Sequence, residues 1–354
     1  MDELDSDLYT VTWLAPLEIE AQAALHMLDK RHRGRFPMSR GDDYMFQAGE
    51  MCGHNIIIAT PPAGQEYGTG STAALASQVK KFPPNLWFGL LVGVAAGLPN
   101  LSRSPPLDIR FGDVLVGLAT ETVVRSAVGG IKLMAPNDVE ALLPYYESIA
   151  TKEHSNGTFA DPGQERDILY QVEDDGNENL VQREKRPNSK RTRVWYGSIG
   201  SGDKLMKNAR KRNELRDKYN VIGLEMAAVG SMNRIPVSVI RGVCDYGDEH
   251  KNKEWQPLVS NQAKKLTKQT RSKQNDTGTM DIDENPKKRQ PNEGHPTSAT
   301  DRRRKRRRRR CKTLDERSNC NHERPVQSIL YSQGIQQTSS GSFLVEGNLN
   351  VGNR

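Results

Sequence analysis

The sequence predicts an α/β fold in which helices cover both faces of a mixed, mainly parallel β-sheet. Short apolar runs alternate with helical patterns along the first 258 residues. Alternation of this kind is typical of parallel strands joined by helical crossovers. The run at 86–94 (LWFGLLVGV) is almost continuously apolar, as expected of a central strand that is buried on both faces. A three-layer sandwich around one sheet is the predicted architecture.

The remaining elements follow from hydrophobic spacing and turn residues. Strands are predicted at 9–14, 44–49, 55–60, 113–118, 194–199 and 237–243, where Val, Ile and aromatic residues cluster. Helices are predicted at 18–30, 69–79, 210–218 and 224–232, where apolar residues recur at helical spacing.

Composition divides the chain into three parts. We expect a folded domain at 1–258, in which the charged and polar stretch 151–192 forms a surface insertion. Residues 259–325 read as a disordered basic linker because they lack the apolar mass that offsets ordering entropy. Residues 326–354 form a low-complexity tail.

Charge and cysteine usage exclude several classes of protein. From Val259 onward there are 21 Lys and Arg against 10 Asp and Glu, so the basic balance belongs to the tail rather than to the domain. No apolar run is long enough to span a bilayer, and the acidic first residues do not form a secretory signal. The four cysteines form no CxxC pair. We therefore expect a soluble intracellular protein, cytoplasmic or nuclear, without a membrane partner.

Seven separated segments together resemble the nucleoside phosphorylase and nucleosidase superfamily, in a fungal branch that includes receptor-like proteins. They are YTVTWLAPLEIEAQAAL, PPAGQEYGTG, FGLLVGVAAGLP, DIRFGDVLV, YGSIGSGDKLM, GLEMAAVGSMN and VIRGVCDYGDEHKNKEWQP, in this order between residues 9 and 257. The resemblance implies a phosphorylase/hydrolase-like fold. It also implies cleavage of the N-glycosidic bond of a purine nucleoside or nucleotide.

The resemblance assigns three residues to catalysis. Asp245, in the segment RGVCDYGD, matches the family's acid, which protonates the departing purine. Glu20 matches the carboxylate that positions the attacking water. Arg241 matches an arginine that organises the site. An ordinary turn Asp, a first-turn Glu and a surface Arg are the structural alternatives for these three positions.

Nine further residues are expected to hold the substrate. Gly93, Val94 and Ala95 match a small-residue turn beside the sugar, and Ser201 and Asp203 match an SGD turn. Leu205 and Met206 would line the base, while Glu225 and Met226 match a segment that holds the ribose hydroxyls. Asp203 as a helix cap, with Leu205 and Met206 in the core, is the structural alternative.

Three departures from the family pattern bear on activity. Ala227 stands where relatives carry a second Glu that accepts hydrogen bonds from the ribose diol. About 25 residues that relatives have near positions 118–120 are missing, so the gene structure at this junction is itself in question. Leu91 and Val94 replace the Arg and Ser of phosphorolytic members, which favours water over phosphate as the acceptor.

Two functional hypotheses follow. The first is a hydrolytic nucleosidase with weakened or intact activity. The second is a catalytically inactive ligand-sensing or scaffold module derived from a fungal receptor-like protein. No cofactor is implied, and no His, Cys or Asp cluster has the spacing of a metal site. Relatives form dimers, trimers or hexamers, so a homo-oligomer is expected.

The tail carries two further signals. The basic run at 302–312 is typical of a segment that binds a nuclear import factor or a polyanion, with a solvated linker as the alternative. The last residues, rich in Gln, Ser, Gly and Asn, resemble short amyloid-type signalling motifs of fungal receptors, with frayed disorder as the alternative.

Overall fold

The computed structural model describes residues 3–37, 44–64, 67–118, 125–126, 128–130, 159–173 and 175–260, and two strands at 335–337 and 343–345. Nearly all of the linker 259–325, including the basic run 302–312, lies outside the described residues. The same holds for junction positions 119 and 120, so the predictions for these regions remain predictions. Within the described part of the chain, no helix is long and apolar enough to cross a membrane.

Thirteen strands are described, numbered here in chain order. They are β1 Val11–Leu14, β2 Lys30–Arg31, β3 Met45–Met51, β4 His54–Thr60, β5 Phe88–Gly97, β6 Val114–Gly117, β7 Tyr170–Val172, β8 Glu178–Leu180, β9 Val194–Gly202, β10 Val221–Glu225, β11 Val237–Asp245, β12 Ile335–Gln337 and β13 Phe343–Val345. The helices that matter for the site are α1 Glu18–Met27, α2 Thr69–Lys81, α3 Ala209–Tyr219 and α4 Ala228–Met232.

The predicted mixed sheet is confirmed. Eleven of the described strands form one sheet in the order β12-β13-β9-β6-β11-β5-β1-β4-β3-β2, with β10 paired to both β5 and β9. Strands β4, β1, β5 and β11 run parallel at its centre, and β6 is antiparallel to β11. Strands β7 and β8 form a separate hairpin. The central strand predicted from its apolar run is β5, flanked by β1 and β11.

Helices pack against both faces of this sheet, which gives the three layers. On one face, Ala24 and Met27 of α1 pack with Trp13 and Val92. On the other, Leu75 and Val79 of α2 pack with Leu14 and Leu91, together with residues of α4. Successive strand residues point to opposite faces, so Trp13 and Leu14 of β1 enter different cores. This explains why the central strands β1, β5 and β11 are buried at nearly every position and mainly apolar.

One predicted helix was wrong in its first part. The segment 224–232 was predicted to be helical throughout, whereas Leu224 and Glu225 end strand β10. Only residues from Ala228 onward form a helix. Leu, Glu, Met and Ala are good helix formers, but pairing of Leu224 with Ala96 of β5 and Gly200 of β9 overrides that preference. The strand places Glu225 at the end of the sheet.

A buried ion pair fastens the predicted insertion to the sheet. Arg186 donates from Nη1 to Asp113 Oδ1 at 2.6 Å and from Nη2 to Asp113 Oδ2 at 3.1 Å. The carboxylate of Asp113 also accepts from the indole of Trp195 at 2.8 Å and from the backbone of Arg193 at 2.8 Å. Burial raises the pKa of Asp113, and Arg186 opposes that effect. The guanidinium of Arg186 therefore compensates a buried carboxylate and is not a surface charge exposed to solvent.

Replacing Arg186 by Met should lower the free energy of unfolding by about 3–5 kcal/mol, because it leaves the Asp113 carboxylate buried without its cation. Lys185→Met is the matched control, since Lys185 lies 3.9 Å from Glu165 and both side chains are more than half exposed. Chemical denaturation of the two variants measures the difference. Equal stability of the two proteins would contradict the structural role assigned to Arg186.

Candidate active site

A cavity of about 240 Å³ opens where β5, β9, β10 and β11 end. In α/β sheets, ligands bind in the crevice beyond the carboxyl ends of the strands. Ten of the twelve residues expected from the sequence line this cavity; they are Glu20, Val94, Ala95, Ser201, Leu205, Met206, Glu225, Met226, Arg241 and Asp245. The fold therefore gathers side chains that are separated by more than 200 positions in sequence.

One end of the cavity, here called the arginine end, is built from Arg241, Glu20 and Glu225. Nη2 of Arg241 donates to Glu225 Oε2, and Nη1 lies 3.8 Å from Glu20 Oε1. Arg241 is on β11, Glu20 on the first turn of α1, and Glu225 at the end of β10. The guanidinium offsets two buried carboxylates, so it holds three elements together at this end.

The carboxylate of Glu20 is oriented by two backbone amides. Oε1 accepts from Val94 N at 3.0 Å, and Oε2 accepts from Leu17 N at 3.0 Å. The second bond lies at the start of α1, where negative charge is favoured by the helix dipole. The neighbouring Glu18 is exposed and accepts a hydrogen bond from Gln22, so it points elsewhere, as expected. Glu20 is thus both a helix-start carboxylate and a cavity residue.

Gly93 does not line the cavity but allows the arginine end to form. A Cβ atom at this position would overlap the Glu20 carboxylate and lie 2.6 Å from Arg241 Nη1. Gly93 pairs with Arg241 across β5 and β11. Because Gly93 has no side chain, the Glu20 carboxylate and the Arg241 guanidinium can occupy the space beside it. The turn predicted for Gly93, Val94 and Ala95 is wrong, because all three residues lie within strand β5, whose pairing with β11 continues through them. The close approach expected at Gly93 is made by protein side chains.

The other end, here called the acid end, contains Asp245 as the last residue of β11. Oδ1 accepts from Gly247 N at 2.9 Å, and Oδ2 lies 2.8 Å from Lys251 Nζ. The thiol of Cys244 also donates to Oδ2, at 3.1 Å. Asp245 is four positions beyond Arg241, which corresponds to about 13 Å of extended strand. The two ends therefore lie at different points along the same strand.

Small and apolar residues form the walls between the two ends. Val94 and Ala95 come from β5, and Met206 packs with Ala96 and Leu215 beside the acid end. Leu205 is partly exposed at the rim. The surface between the two ends is therefore mainly apolar.

Asp203 does not line the cavity. Its Oδ1 accepts from Thr69 N at 2.9 Å and also from the Thr69 hydroxyl. It therefore caps the N-terminus of α2, which is the structural alternative considered for it. Ser201 lines the cavity and accepts a hydrogen bond from Val229 N at 3.1 Å, so it also fixes the start of α4.

The sequence reasoning missed Lys251, whose ammonium contacts Asp245. Lys204, Lys207 and Lys253 also line the cavity. The segment HKNK was part of the resemblance, and two lysines within eight residues of Asp245 were an available signal. Nothing in their spacing, however, shows which of the two contacts Asp245.

The loop that follows Asp245 is braced by residues 164–183. The phenol of Tyr246 donates to Asp167 Oδ1 at 2.5 Å and accepts from Arg183 Nη2 at 2.9 Å. Burial, and then the Asp167 charge, raise the pKa of Tyr246 well above its ordinary value. The phenol therefore stays protonated and remains a donor. Its bonds fix the backbone next to the acid.

His250 is held by the hairpin β7–β8. Its Nε2 lies 2.7 Å from Glu178 Oε2, and its ring stacks on Tyr170 with centroids 4.0 Å apart. His250 precedes Lys251, so the hairpin fixes the loop on the outside while Lys251, Asn252 and Lys253 line the cavity on the inside. In the described ranges, no group of three or more His, Cys, Asp or Glu residues has the arrangement of a metal site.

No protein-family model matches the chain. A nucleotide-binding leucine-rich repeat (NLR)-like protein of Hyaloscypha variabilis is 32% identical over 286 residues, which is 71% of this chain. The chain spans 28% of the length of this curated relative.

Several solved structures are similar to the chain at low identity. Futalosine hydrolase of Helicobacter pylori is 17% identical with a TM-score of 0.43, covering 74% of this chain and 97% of its own. A 5′-methylthioadenosine/S-adenosylhomocysteine nucleosidase of Neisseria meningitidis is 17% identical with a TM-score of 0.44, covering 75% and 98%. The corresponding nucleosidase of Colwellia psychrerythraea, in complex with adenine, is 14% identical with a TM-score of 0.47, covering 74% and 94%.

Gly93→Ala should destabilise the protein by about 1–3 kcal/mol, because the added methyl group displaces the Glu20 carboxylate and the Arg241 guanidinium. Gly70→Ala is the matched control, since a Cβ there meets no atom within 4 Å. Urea denaturation compares the two variants. A Gly93→Ala protein as stable as the control would show that the arginine end is not packed as described.

Cys244 should resist alkylation in the folded protein. Burial, followed by the Asp245 carboxylate, raises the pKa of the Cys244 thiol well above its ordinary value, and the thiolate is the reactive form. Mass spectrometry after iodoacetamide treatment at pH 8 should show Cys244 modified at least tenfold more slowly than in the guanidinium-unfolded chain. Similar rates in both states would contradict the burial of the acid end.

Proposed function

We propose that this chain hydrolyses the N-glycosidic bond of a purine nucleoside or nucleotide. The observation that supports this most directly is the pairing of Asp245 and Glu20 in one cavity, at its two ends. Leaving-group protonation and water positioning require two such groups on either side of the scissile bond. In this proposal the base lies at the acid end, and the sugar lies at the arginine end.

Each end supplies one part of the reaction. Asp245 transfers a proton to the purine as the C1′–N9 bond breaks, and the electrons of that bond pass to the base. Water adds to C1′ and loses a proton to the Glu20 carboxylate. Lys251 Nζ lies 2.8 Å from Asp245 Oδ2 and is partly exposed, so its ammonium passes a proton to Asp245 and regains one from solvent. Glu20 releases the proton of the attacking water to solvent, and both carboxyl groups return to their starting states. Arg241 keeps Glu20 in place while the Glu20 carboxylate takes up the proton.

Water is a better acceptor here than phosphate. Leu91 is buried and Val94 is apolar at the positions of β5 where phosphorolytic relatives carry Arg and Ser. The Val94 amide already donates to the Glu20 carboxylate, so a phosphate dianion beside Val94 would meet a negative charge without a charge-assisted partner. These contacts favour a hydrolase over a phosphorylase.

A second candidate function is ligand sensing without chemistry. Two observations favour it: the relative from Hyaloscypha variabilis is by its name a nucleotide-binding leucine-rich repeat (NLR)-like protein, and Ala227 replaces an expected acceptor. A module of this kind would bind a purine nucleoside or nucleotide and release it unchanged. Binding would then be transmitted to other parts of a longer protein.

Purified protein incubated with adenosine, inosine, guanosine and ATP should release free base, measured by chromatography. Asp245→Asn should reduce release by at least a hundredfold, because the side chain loses its transferable proton. Asp217→Asn, at an exposed position on α3, is the matched control and should release base at the wild-type rate.

Binding without release of base by the wild-type protein would favour the sensing function. Equal release by Asp245→Asn and wild type would show that another group is the acid. Release only in the presence of inorganic phosphate would contradict the hydrolytic assignment.

A further inference from the structure

We propose that β13, from the C-terminal tail, acts as a donor strand that fills an open edge of β9 and holds one wall of the cavity in place. The last three residues of β9, Gly200, Ser201 and Gly202, line the cavity and form this wall. All three pair in parallel with β13, in the register Gly200 with Phe343, Ser201 with Leu344 and Gly202 with Val345. The binding surface is the edge of β9, and its occupant is a strand of the same chain.

β13 uses an edge of β9 that the other described strands leave open. β10 pairs with Gly200 and Ser201 along one edge, and a strand has only two edges for pairing. β6 pairs with β9 from Val194 to Gly197. Among the described strands, β13 is therefore the one that covers the second edge of the cavity wall.

This open edge continues the edge along which β6 lies. Ala96 of β5 pairs with Asp245 of β11 and with Leu224 of β10, so β10 and β11 lie on opposite edges of β5. Strands β5, β11, β6, β9 and β10 therefore close into a ring, in which β6 and β10 lie on opposite edges of β9. β6 ends at Gly117, directly before the junction at which the sequence is expected to be shortened. β13 thus supplies pairing where the chain after β6 is expected to lack residues.

The cavity wall requires a partner on this edge. Gly200, Ser201 and Gly202 are buried, and buried backbone N–H and C=O groups are paired in folded proteins. Two of the three are glycines, which lose more conformational freedom on ordering than other residues. The hydroxyl of Ser201 also accepts from Val229 N at 3.1 Å. Fixing the wall therefore fixes the start of α4 as well.

The tail segment is suited to strand pairing. Residues 335–345 contain no charged residue and no proline, and Phe, Leu and Val are favoured in strands. β12 pairs antiparallel with β13, so β13 has a partner on each of its edges. This is strand addition to a sheet edge, in which main-chain hydrogen bonds supply the affinity.

Covalent linkage favours the chain's own tail over the tail of a second copy. Between Ser260 and Ile335 there are 74 residues, and the entropic cost of closing a loop rises only slowly with its length. The link also gives the strand an effective concentration that does not depend on protein concentration. Docking within one chain should therefore persist on dilution.

Hydrogen exchange of the full chain, measured by mass spectrometry, tests the docking directly. The amides of 343–345 should exchange at least about tenfold more slowly than in an unstructured peptide of the same sequence. Exchange at the rate of the free peptide would overturn the proposal. Protection should be unchanged over a roughly hundredfold range of protein concentration. Its loss on dilution would show that a second copy supplies the strand, and would overturn the assignment to the same chain.

Leu344→Pro and Val345→Pro should release the strand, because proline has no N–H to donate to a ladder. Two adjacent positions are used because successive N–H groups of a strand point to opposite edges. In at least one variant, amides of 200–202 should exchange about tenfold faster than in the wild type, and those of 228–232 severalfold faster. Leu349→Pro, the same change outside 343–345, is the matched control and should leave both unchanged.

Unchanged exchange at 200–202 or at 228–232 in both variants would overturn the role assigned to β13. Protection of the β4 amides shows whether each variant folds. If neither variant retains that protection, the wild-type exchange of 343–345 decides alone.

Discussion

The arrangement of this site depends on a single buried cation. Arg241 stands between Glu20 and Glu225, and each of these carboxylates is also tied to the backbone at the start of a helix. Removing one partner of a buried ion pair lowers the free energy of unfolding by about 3–5 kcal/mol, because the other charge stays buried without compensation. Because one guanidinium contacts both carboxylates, it links the end of β10, the middle of β11 and the start of α1. The three charged side chains have room to meet because Gly93 carries no side chain.

Most of the sheet could be predicted from the sequence, because its central strands are buried on both faces and therefore read as apolar runs. The predictions for 9–14, 55–60 and 237–243 correspond to β1, β4 and β11. The failure at Leu224 has a clear cause. Local propensity favoured a helix, whereas pairing with strands more than 20 residues away decided the structure. Contacts of that kind leave no local signal.

The residues of the site could be predicted from the sequence, but their contacts could not. Asp245, Glu20 and Arg241 were identified by their match to a family pattern, and the fold places all three around one cavity. The family pattern did not predict which residue each of these charged side chains contacts. Lys251 on Asp245, and the helix-capping use of Glu225 and Asp203, depend on side-chain directions that residue spacing does not fix. Similarly, charged composition marked 151–192 as a surface segment, yet Arg186 is buried because Asp113, 73 positions earlier, accepts its bonds.

The brace formed by residues 164–183 has a consequence for how this protein can be divided. One wall of the cavity is carried by a loop that takes part in no strand. That loop keeps its place through Tyr246 and His250, whose partners are Asp167, Arg183 and Glu178. A shortened version that retained the entire sheet but omitted this stretch would still contain Asp245, while the wall beside it would have lost its anchors. The smallest unit that preserves this cavity is therefore larger than the sheet and its covering helices, because residues of the predicted insertion support one of its walls.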